Sequence, residues 1–241
     1  MDCRVKPGND DELDFSARSV HLSSPMTLRL ETQADVDAGV RQLLRQDARL
    51  EQVVAVAGRA PLRRRAGGFA GLAQIIVAQQ LSTASATAIW GRLSAAYDPL
   101  DPERIRRARD ATLGRIGLSG AKIRAFKAIA TAIRKDGLDL DALADLPADD
   151  AHRALTALHG VGPWTADIYL LFCLGHADAW PAGDLAVQEA MRLAFHLKAR
   201  PSTKEIGPLA EPWRPLRGVA ALLLWSYYRA IKKRDPVPIQ P

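Results

Sequence analysis

The sequence predicts a mainly α-helical fold. Apolar residues recur at helical spacing through nearly the whole chain, alternating strand patterns are almost absent, and glycine and proline stand where helices should stop or start. From Ala34 to Gly58 the positions Val36, Val40, Leu43, Leu44, Leu50, Val53 and Val54 keep one face apolar. Further helices are expected over about Phe69–Gln80 and Thr83–Ala96, the second capped by Ser82, with two short ones around Pro102–Ala108 and Ala111–Ile116. A long amphipathic helix over about Ala121–Lys135 closes at Gly137, the residue type that tolerates the left-handed position after a helix end. Helices over about Asp149–Leu158 and Pro163–Leu174 follow, the latter opening on a proline at a favoured first-turn position. Segments near Leu185–Leu197 and Leu216–Ile231 complete the set.

A chain of 241 residues, 48% of them apolar, can bury an ample core as one large domain or two small ones. Its 33 basic and 27 acidic side chains leave a net charge of +6, compatible with a nucleic-acid partner. Much of the surplus lies in short runs, Arg63-Arg64-Arg65, Arg104 to Arg109 and Lys232-Lys233-Arg234, each of which also reads as a solvated face. The two cysteines, Cys3 and Cys173, are too far apart for metal-ligand spacing, and neither a disulfide nor redox chemistry is indicated. That fits a reducing, cytoplasmic setting. Cys173, within Leu170-Leu171-Phe172-Cys173-Leu174, reads as a small core residue. No apolar run approaches the roughly 20 residues of a membrane helix. Residues 1–25 are polar, charge-mixed and without periodicity; they are expected to be disordered or foreign to the native product, with Met26 as the authentic start.

The most informative stretch is Leu158-His159-Gly160-Val161-Gly162-Pro163-Trp164-Thr165-Ala166-Asp167. Two glycines around one β-branched residue, between apolar helical segments, describe a tight hairpin of two helices. The glycines permit backbone angles that other residues resist, and the second helix starts with unpaired amide N–H groups at the positive end of its dipole, a setting that suits a phosphate oxygen. A G-x-G turn alone is weak, because most such turns only connect helices. Here it is followed by the loop Trp180-Pro181-Ala182-Gly183 and by Asp184, twenty positions past Trp164. That combination is far more specific.

With these residues the chain resembles the helix-hairpin-helix DNA glycosylases, and within them the alkylpurine branch typified by 3-methyladenine DNA glycosylase II. The resemblance covers roughly residues 65 to 230. It rests on Ala78-Gln79-Gln80-Leu81-Ser82, Gly117-Leu118-Ser119-Gly120-Ala121-Lys122, the hairpin, the Asp184 loop, and Trp213-Arg214-Pro215-Leu216-Arg217 followed by Trp225. It implies a two-lobed helical fold with the active-site cleft between the lobes, here a single glycosylase domain over residues 26–241 with the hairpin at about 149–174. Larger relatives begin with a β-rich domain, for which the residues after Met26 leave room for a remnant at most. The implied activity is monofunctional excision of alkylated purines by hydrolysis of the N-glycosidic bond, in base excision repair. The implied partner is double-stranded DNA with a damaged base, met by a cytoplasmic, nucleoid-associated bacterial monomer without a membrane.

The chemistry sets the roles that the resemblance assigns. Breaking a purine glycosidic bond leaves positive character on the sugar, which a nearby carboxylate can stabilise. Asp184 aligns with the family's catalytic aspartate and also reads as the N-cap of the helix from Leu185. Asp167 and Asp178 are rivals by residue type but stand elsewhere in the pattern. Bifunctional relatives carry a lysine nucleophile just before the Thr-Ala pair; this chain has Trp164, which implies hydrolysis by water without a lyase step. A base in a duplex must be flipped out, and an apolar wedge must fill the gap; Leu81 holds the wedge position. Gln80 reads as a contact to the opposite strand or a support of its loop. Trp164 and Trp225 match pocket positions whose π faces favour a cationic base. Ile168 replaces a common pocket tyrosine, and Leu216 replaces an aromatic, which thins the cage. Trp213, Tyr227 and Tyr228 read as packing.

DNA contacts are expected from Gly160, Val161, Gly162, Thr165 and Arg217. No cofactor is implied. A monovalent cation could be held by backbone carbonyls of Thr156, Leu158 and Val161, as in relatives, whereas the five scattered histidines and two cysteines offer no side-chain metal site and no iron–sulfur cluster. Two other readings remain open: a non-catalytic helix-hairpin-helix DNA-binding protein, which would need neither Asp184 nor the Gln80-Leu81 turn, and a glycosylase for an oxidised or mismatched base.

Overall fold

The computed structural model of the protein describes residues 28–232; the expectations for residues 1–25 and Met26, and for Lys233-Arg234, lie outside that range. Twelve α-helices and no strand are found among the described residues, and no helix is long and apolar enough to cross a membrane. The helices are α1 (Gln33–Gln46), α2 (Glu51–Ala57), α3 (Gly68–Ala78), α4 (Thr83–Ala96), α5 (Pro102–Arg107), α6 (Asp110–Ile116), α7 (Gly120–Lys135), α8 (Ala148–Thr156), α9 (Pro163–Ile168), α10 (Leu185–Ala194), α11 (Thr203–Ala210) and α12 (Arg217–Lys232).

The apolar pattern from Ala34 to Gly58 is broken into two helices by Asp47. Its backbone is extended, and its carboxylate accepts from the Arg49 amide at 3.1 Å and from the buried Trp213 indole at 3.0 Å. α3 is apolar nearly all round, with Phe69, Leu72, Ala73, Ile75, Ile76 and Val77 buried, as expected of a helix covered on several sides. It ends before the expected Gln80, because Gln79 leaves the helical region and Gln80 takes a left-handed φ of 55°. α11 was not expected: Gly207 and Pro208 break its pattern. Its available signal was the pair Ser202 and Glu205, in which the Glu205 carboxylate accepts from the Ser202 amide at 2.8 Å, a capping box.

α12, buried from Arg217 to Tyr227, packs against α1, α2 and α10. α7 packs against α5, α6 and α3, and α3 also meets α4 and α9. The hairpin is the α8–α9 pair. α9 does not continue as an α-helix to Leu174 as expected but passes into a π-helical turn, Tyr169–Cys173. Ahead of α1 a short extended stretch lies antiparallel to the loop after that turn, with Leu30 N–H donating to Gly175 O at 2.7 Å and Ala177 N–H to Leu28 O at 3.0 Å.

The two hairpin glycines have different jobs. Gly160 sits at φ 85°, and a Cβ there would collide with the Ala125 side chain on α7 and come within 3.2 Å of its Cα. A Cβ on Gly162 would meet nothing within 4 Å, and its φ of −83° suits any residue. Gly160→Ala should therefore lower unfolding free energy by about 2 kcal/mol or more, through positive-φ strain and displacement of the hairpin from α7. Gly162→Ser should change it by less than about 1 kcal/mol, since serine is a good N-cap. Urea denaturation of the two variants measures both.

Candidate active site

The site is built around the Asp184 carboxylate. Asp184 caps α10: Oδ1 accepts from the amides of Ala186 and Val187, each at 3.0 Å. The same oxygen accepts from the Trp225 indole on α12 at 3.0 Å, while Oδ2 accepts from the Trp164 indole on α9 at 2.9 Å. The side chain is buried, with 5% of Asp184 exposed, yet it has four donors from three helices. Capping and the expected catalytic position thus fall on one residue. The two indole hydrogen bonds were not anticipated.

A cavity opens beside this carboxylate. Its apolar wall is Trp164, Phe172, Leu222 and Trp225, and Phe172 stacks on Trp225 with ring centroids 5.5 Å apart. Its other wall carries Arg63, Arg65 and Arg229, which the sequence reading left among solvated runs or did not single out.

A second, wider depression runs from the turn after α3 to the hairpin and ends at Trp164, next to the first cavity. Gln79, Gln80 and Leu81 line one side; Thr156, Leu158, Gly160, Val161 and Gly162 line the other. Leu81, 40% exposed, stands on the turn beside this depression. The turn is fixed from behind. Lys122 Nζ donates to the carbonyls of Val77 at 2.7 Å and Gln79 at 3.0 Å, and Ser119 caps the helix that carries Lys122. This gives the Gly117–Lys122 segment its role. Gln79, which sequence reasoning passed over, donates to the Thr165 hydroxyl at 2.7 Å and ties the turn to the hairpin.

Several expected site residues stand elsewhere. Ile168 does not line the cavity but is fully buried in the core. Phe172, on the π-helical turn that follows, supplies a ring to the cavity instead. Arg217 is not on the surface. It is 6% exposed, and its Nε and Nη2 donate to Asp178 at 2.9 and 2.8 Å, with Nη2 also reaching Asp149 at 3.1 Å. Asp178, also bound by Arg214 at 2.8 Å, is thereby a structural partner rather than a rival to Asp184. The Thr165 side chain is buried and occupied by Gln79, so only its backbone could face DNA; Val161 is buried likewise. Cys173 lies in the core, where burial pushes its thiol up to about 12. Among the described residues no group of three or more His, Cys, Asp or Glu side chains is arranged to hold a metal ion. In the hairpin turn the Leu158 carbonyl accepts from the Val161 amide at 3.1 Å, and Thr156, Leu158 and Val161 all border the depression.

Residues 73–215 match the family model described as the HhH-GPD superfamily base excision DNA repair protein. The chain is 26% identical over 170 residues to an alkylbase DNA glycosidase-like protein, mag2, of Schizosaccharomyces pombe, covering 68% of this chain and 80% of that one. It is 31% identical over 214 residues to a probable bifunctional transcriptional activator/DNA repair enzyme AlkA of Mycobacterium tuberculosis, covering 83% of this chain but 42% of that longer protein. Its structure is similar to that of a DNA-3-methyladenine glycosidase from Bacillus halodurans, with a TM-score of 0.74 and 29% identity, over 82% of this chain and 92% of the other.

Behind the hairpin, Asp167 lies 3.6 Å from His152 Nε2, at ion-pair distance. Burial nevertheless disfavours both charges: it raises the Asp167 carboxyl to about 8 and lowers the His152 imidazole, so the contact is one between neutral groups at pH 7. An acid whose folded pKa lies above its unfolded value loses stability as pH rises between the two, because only the unfolded chain releases its proton. Asp167→Asn should therefore be near neutral at pH 4 and gain on the wild type up to pH 8, by about 2 kcal/mol or more. Thermal melts of both proteins across that range measure the difference; a gap that does not widen with pH refutes it.

Proposed function

Since the chain belongs to the HhH-GPD superfamily of base excision DNA repair proteins, we propose that it excises alkylated purines from duplex DNA by hydrolysis, with Asp184 as the catalytic carboxylate and no lyase step. The observation that carries this is the buried Asp184 carboxylate, set beside an aromatic-walled cavity by two tryptophan indoles. As the bond from sugar C1′ to purine N9 lengthens, its electron pair moves to the base and positive charge grows on the sugar. A carboxylate already fixed by four donors stabilises that charge without reorganising. Water then adds at C1′ and leaves an abasic site. Trp164 offers an N–H at the place where a lyase needs an amine, so no Schiff base forms.

The wide depression supports the DNA path. Leu81 stands exposed at the turn to fill the gap left by a flipped base, and the amides of Gly160, Gly162 and Trp164 serve a phosphate. The carbonyls of Thr156, Leu158 and Val161 are those that would hold a monovalent cation between hairpin and phosphate. We place the protein on duplex DNA as a monomer.

Asp184→Asn keeps the shape and the capping oxygen but removes the charge. Single-turnover excision from methylated DNA should fall by about two orders of magnitude or more, while affinity for duplex containing an abasic-site analogue stays close to wild type and stability falls by only about 1–3 kcal/mol, because the new amide N–H faces the Trp164 indole N–H. The wild-type product should be an unbroken abasic strand, cut only after alkali, with no borohydride-trapped complex. A trapped complex or an active Asp184→Asn protein refutes the mechanism. Leu81→Ala should slow excision from a paired site more than from a mispaired one, where less stacking must be replaced. Equal slowing on both substrates would make Leu81 a packing residue.

A further inference from the structure

The turn that carries Leu81 and the Asp184 carboxylate are joined by a short chain of contacts, with Gln79 in its middle. Gln79 ends α3, and its ψ of 129° swings the chain out of the helix toward Gln80 and Leu81. Gln80 follows at a φ of 55°, a backbone angle that a non-glycine residue holds only where its surroundings impose it. The turn is closed by the Leu81 amide, which donates to the Ala78 carbonyl at 3.4 Å, and by Ser82, whose hydroxyl caps α4. From behind, Lys122 Nζ holds the Gln79 carbonyl at 3.0 Å, so the backbone of Gln79 is a fixed pivot. Leu81 lies on one side of that pivot. On the other, Gln79 Nε2 donates to the Thr165 hydroxyl at 2.7 Å, across 86 positions of sequence. Thr165 is buried on α9, and beside it Trp164 donates its indole N–H to Asp184 Oδ2 at 2.9 Å. Two short hydrogen bonds thus carry the path from the exposed turn to the carboxylate.

Resting on the excision reading above, we propose that Gln79 is a positioning residue that couples insertion of Leu81 into the duplex to the seating of the Trp164 indole against Asp184. The carboxylate then takes its working orientation when the turn is lodged in DNA. Apolar packing between α3 and α9 cannot do this alone, because such contacts tolerate small slides. A side-chain hydrogen bond fixes direction as well as distance. The accuracy matters, since a misplacement of about an ångström at a reacting centre costs on the order of 100-fold in rate. The coupling is reciprocal by linkage: a wedge that favours the seated indole is itself favoured by a base in the cavity beside that indole. Gln79 touches neither base nor sugar in this account and acts through Thr165 and Trp164.

The test uses the full chain and a duplex holding one 7-methylguanine beside a 2-aminopurine, whose fluorescence rises when wedge insertion unstacks it. Gln79→Met keeps the length of the side chain and removes the donor. The double variant Gln79→Met/Thr165→Val sets an apolar group against an apolar group and should melt close to wild type. Both should slow single-turnover excision by about tenfold, the worth of one hydrogen bond, while the 2-aminopurine signal keeps its wild-type size. Leu81→Ala should cost less in the Gln79→Met background than alone, because the wedge no longer sets the indole. If the fluorescence signal falls along with the rate, Gln79 merely shapes its own turn. If the Gln79→Met and Leu81→Ala effects multiply, it merely props α9. If the double variant excises like the wild type, the bond carries nothing. Each of these results overturns the inference and leaves the excision reading standing. A wild type that releases no 7-methylguanine overturns that reading and this inference with it.

Discussion

A buried carboxylate must be hydrogen-bonded, and the architecture around the cavity follows from that need for Asp184. An uncompensated charge at 5% exposure would cost several kcal/mol. Compensation comes from three places: the first amides of α10, the Trp164 indole on α9 and the Trp225 indole on α12. Each donor is rigid, and each belongs to a helix whose other face is core. Hairpin, capped helix and C-terminal helix must therefore sit in one register for the site to be stable at all.

Apolar packing alone would hold these helices together but would tolerate small slides between them. Directional polar links remove that freedom. Arg217, at the start of α12, and Arg214, just ahead of it, bind Asp178 in the loop ahead of Asp184 and Asp149 on α8. The Asp149 carboxyl falls below its ordinary value although burial alone would raise it, because the two guanidiniums outweigh the burial. On the other side of the cavity, Lys122 holds the end of α3 and Gln79 reaches Thr165 on α9. The turn that carries Leu81 is thus coupled to the hairpin through one hydrogen bond.

Much of this was legible as periodicity and punctuation. The helical class, the α8–α9 hairpin, the Ser82 and Asp184 caps and the placement of Trp164 and Trp225 follow from local signals or from motif spacing. What was missed depends on partners far apart in sequence or on helix geometry that residue order does not encode. The Trp225–Asp184 bond joins residues 41 positions apart, and Arg217 meets Asp178 across 39. An arginine in a motif that looks fit for DNA gives no local sign of being buried. Ile168 came from the family's pocket position, whereas Phe172, on the π-helical turn Tyr169–Cys173 that has no composition signature, is the ring that lines the cavity. Gln79 was passed over for Gln80 because the helix ends one turn residue earlier than its apolar pattern.

Capping and catalysis looked like competing accounts of Asp184, and the hydrogen bonds show why they need not compete. Oδ1 accepts from Ala186, Val187 and Trp225 and has no capacity left; it is the structural oxygen. Among the described residues Oδ2 accepts from Trp164 alone, which would leave it room for a water or, on the excision reading, a developing sugar cation. Trp164 is the choice that keeps the two oxygens distinct. A lysine at this position would bring a nucleophile and would also neutralise the carboxylate as an ion pair. An indole orients Oδ2 through one N–H, leaves the negative charge in place, and turns its ring to the cavity wall where a base would lie. On the excision reading, one residue type would thereby set both the electrostatics of the sugar side and the shape of the base side.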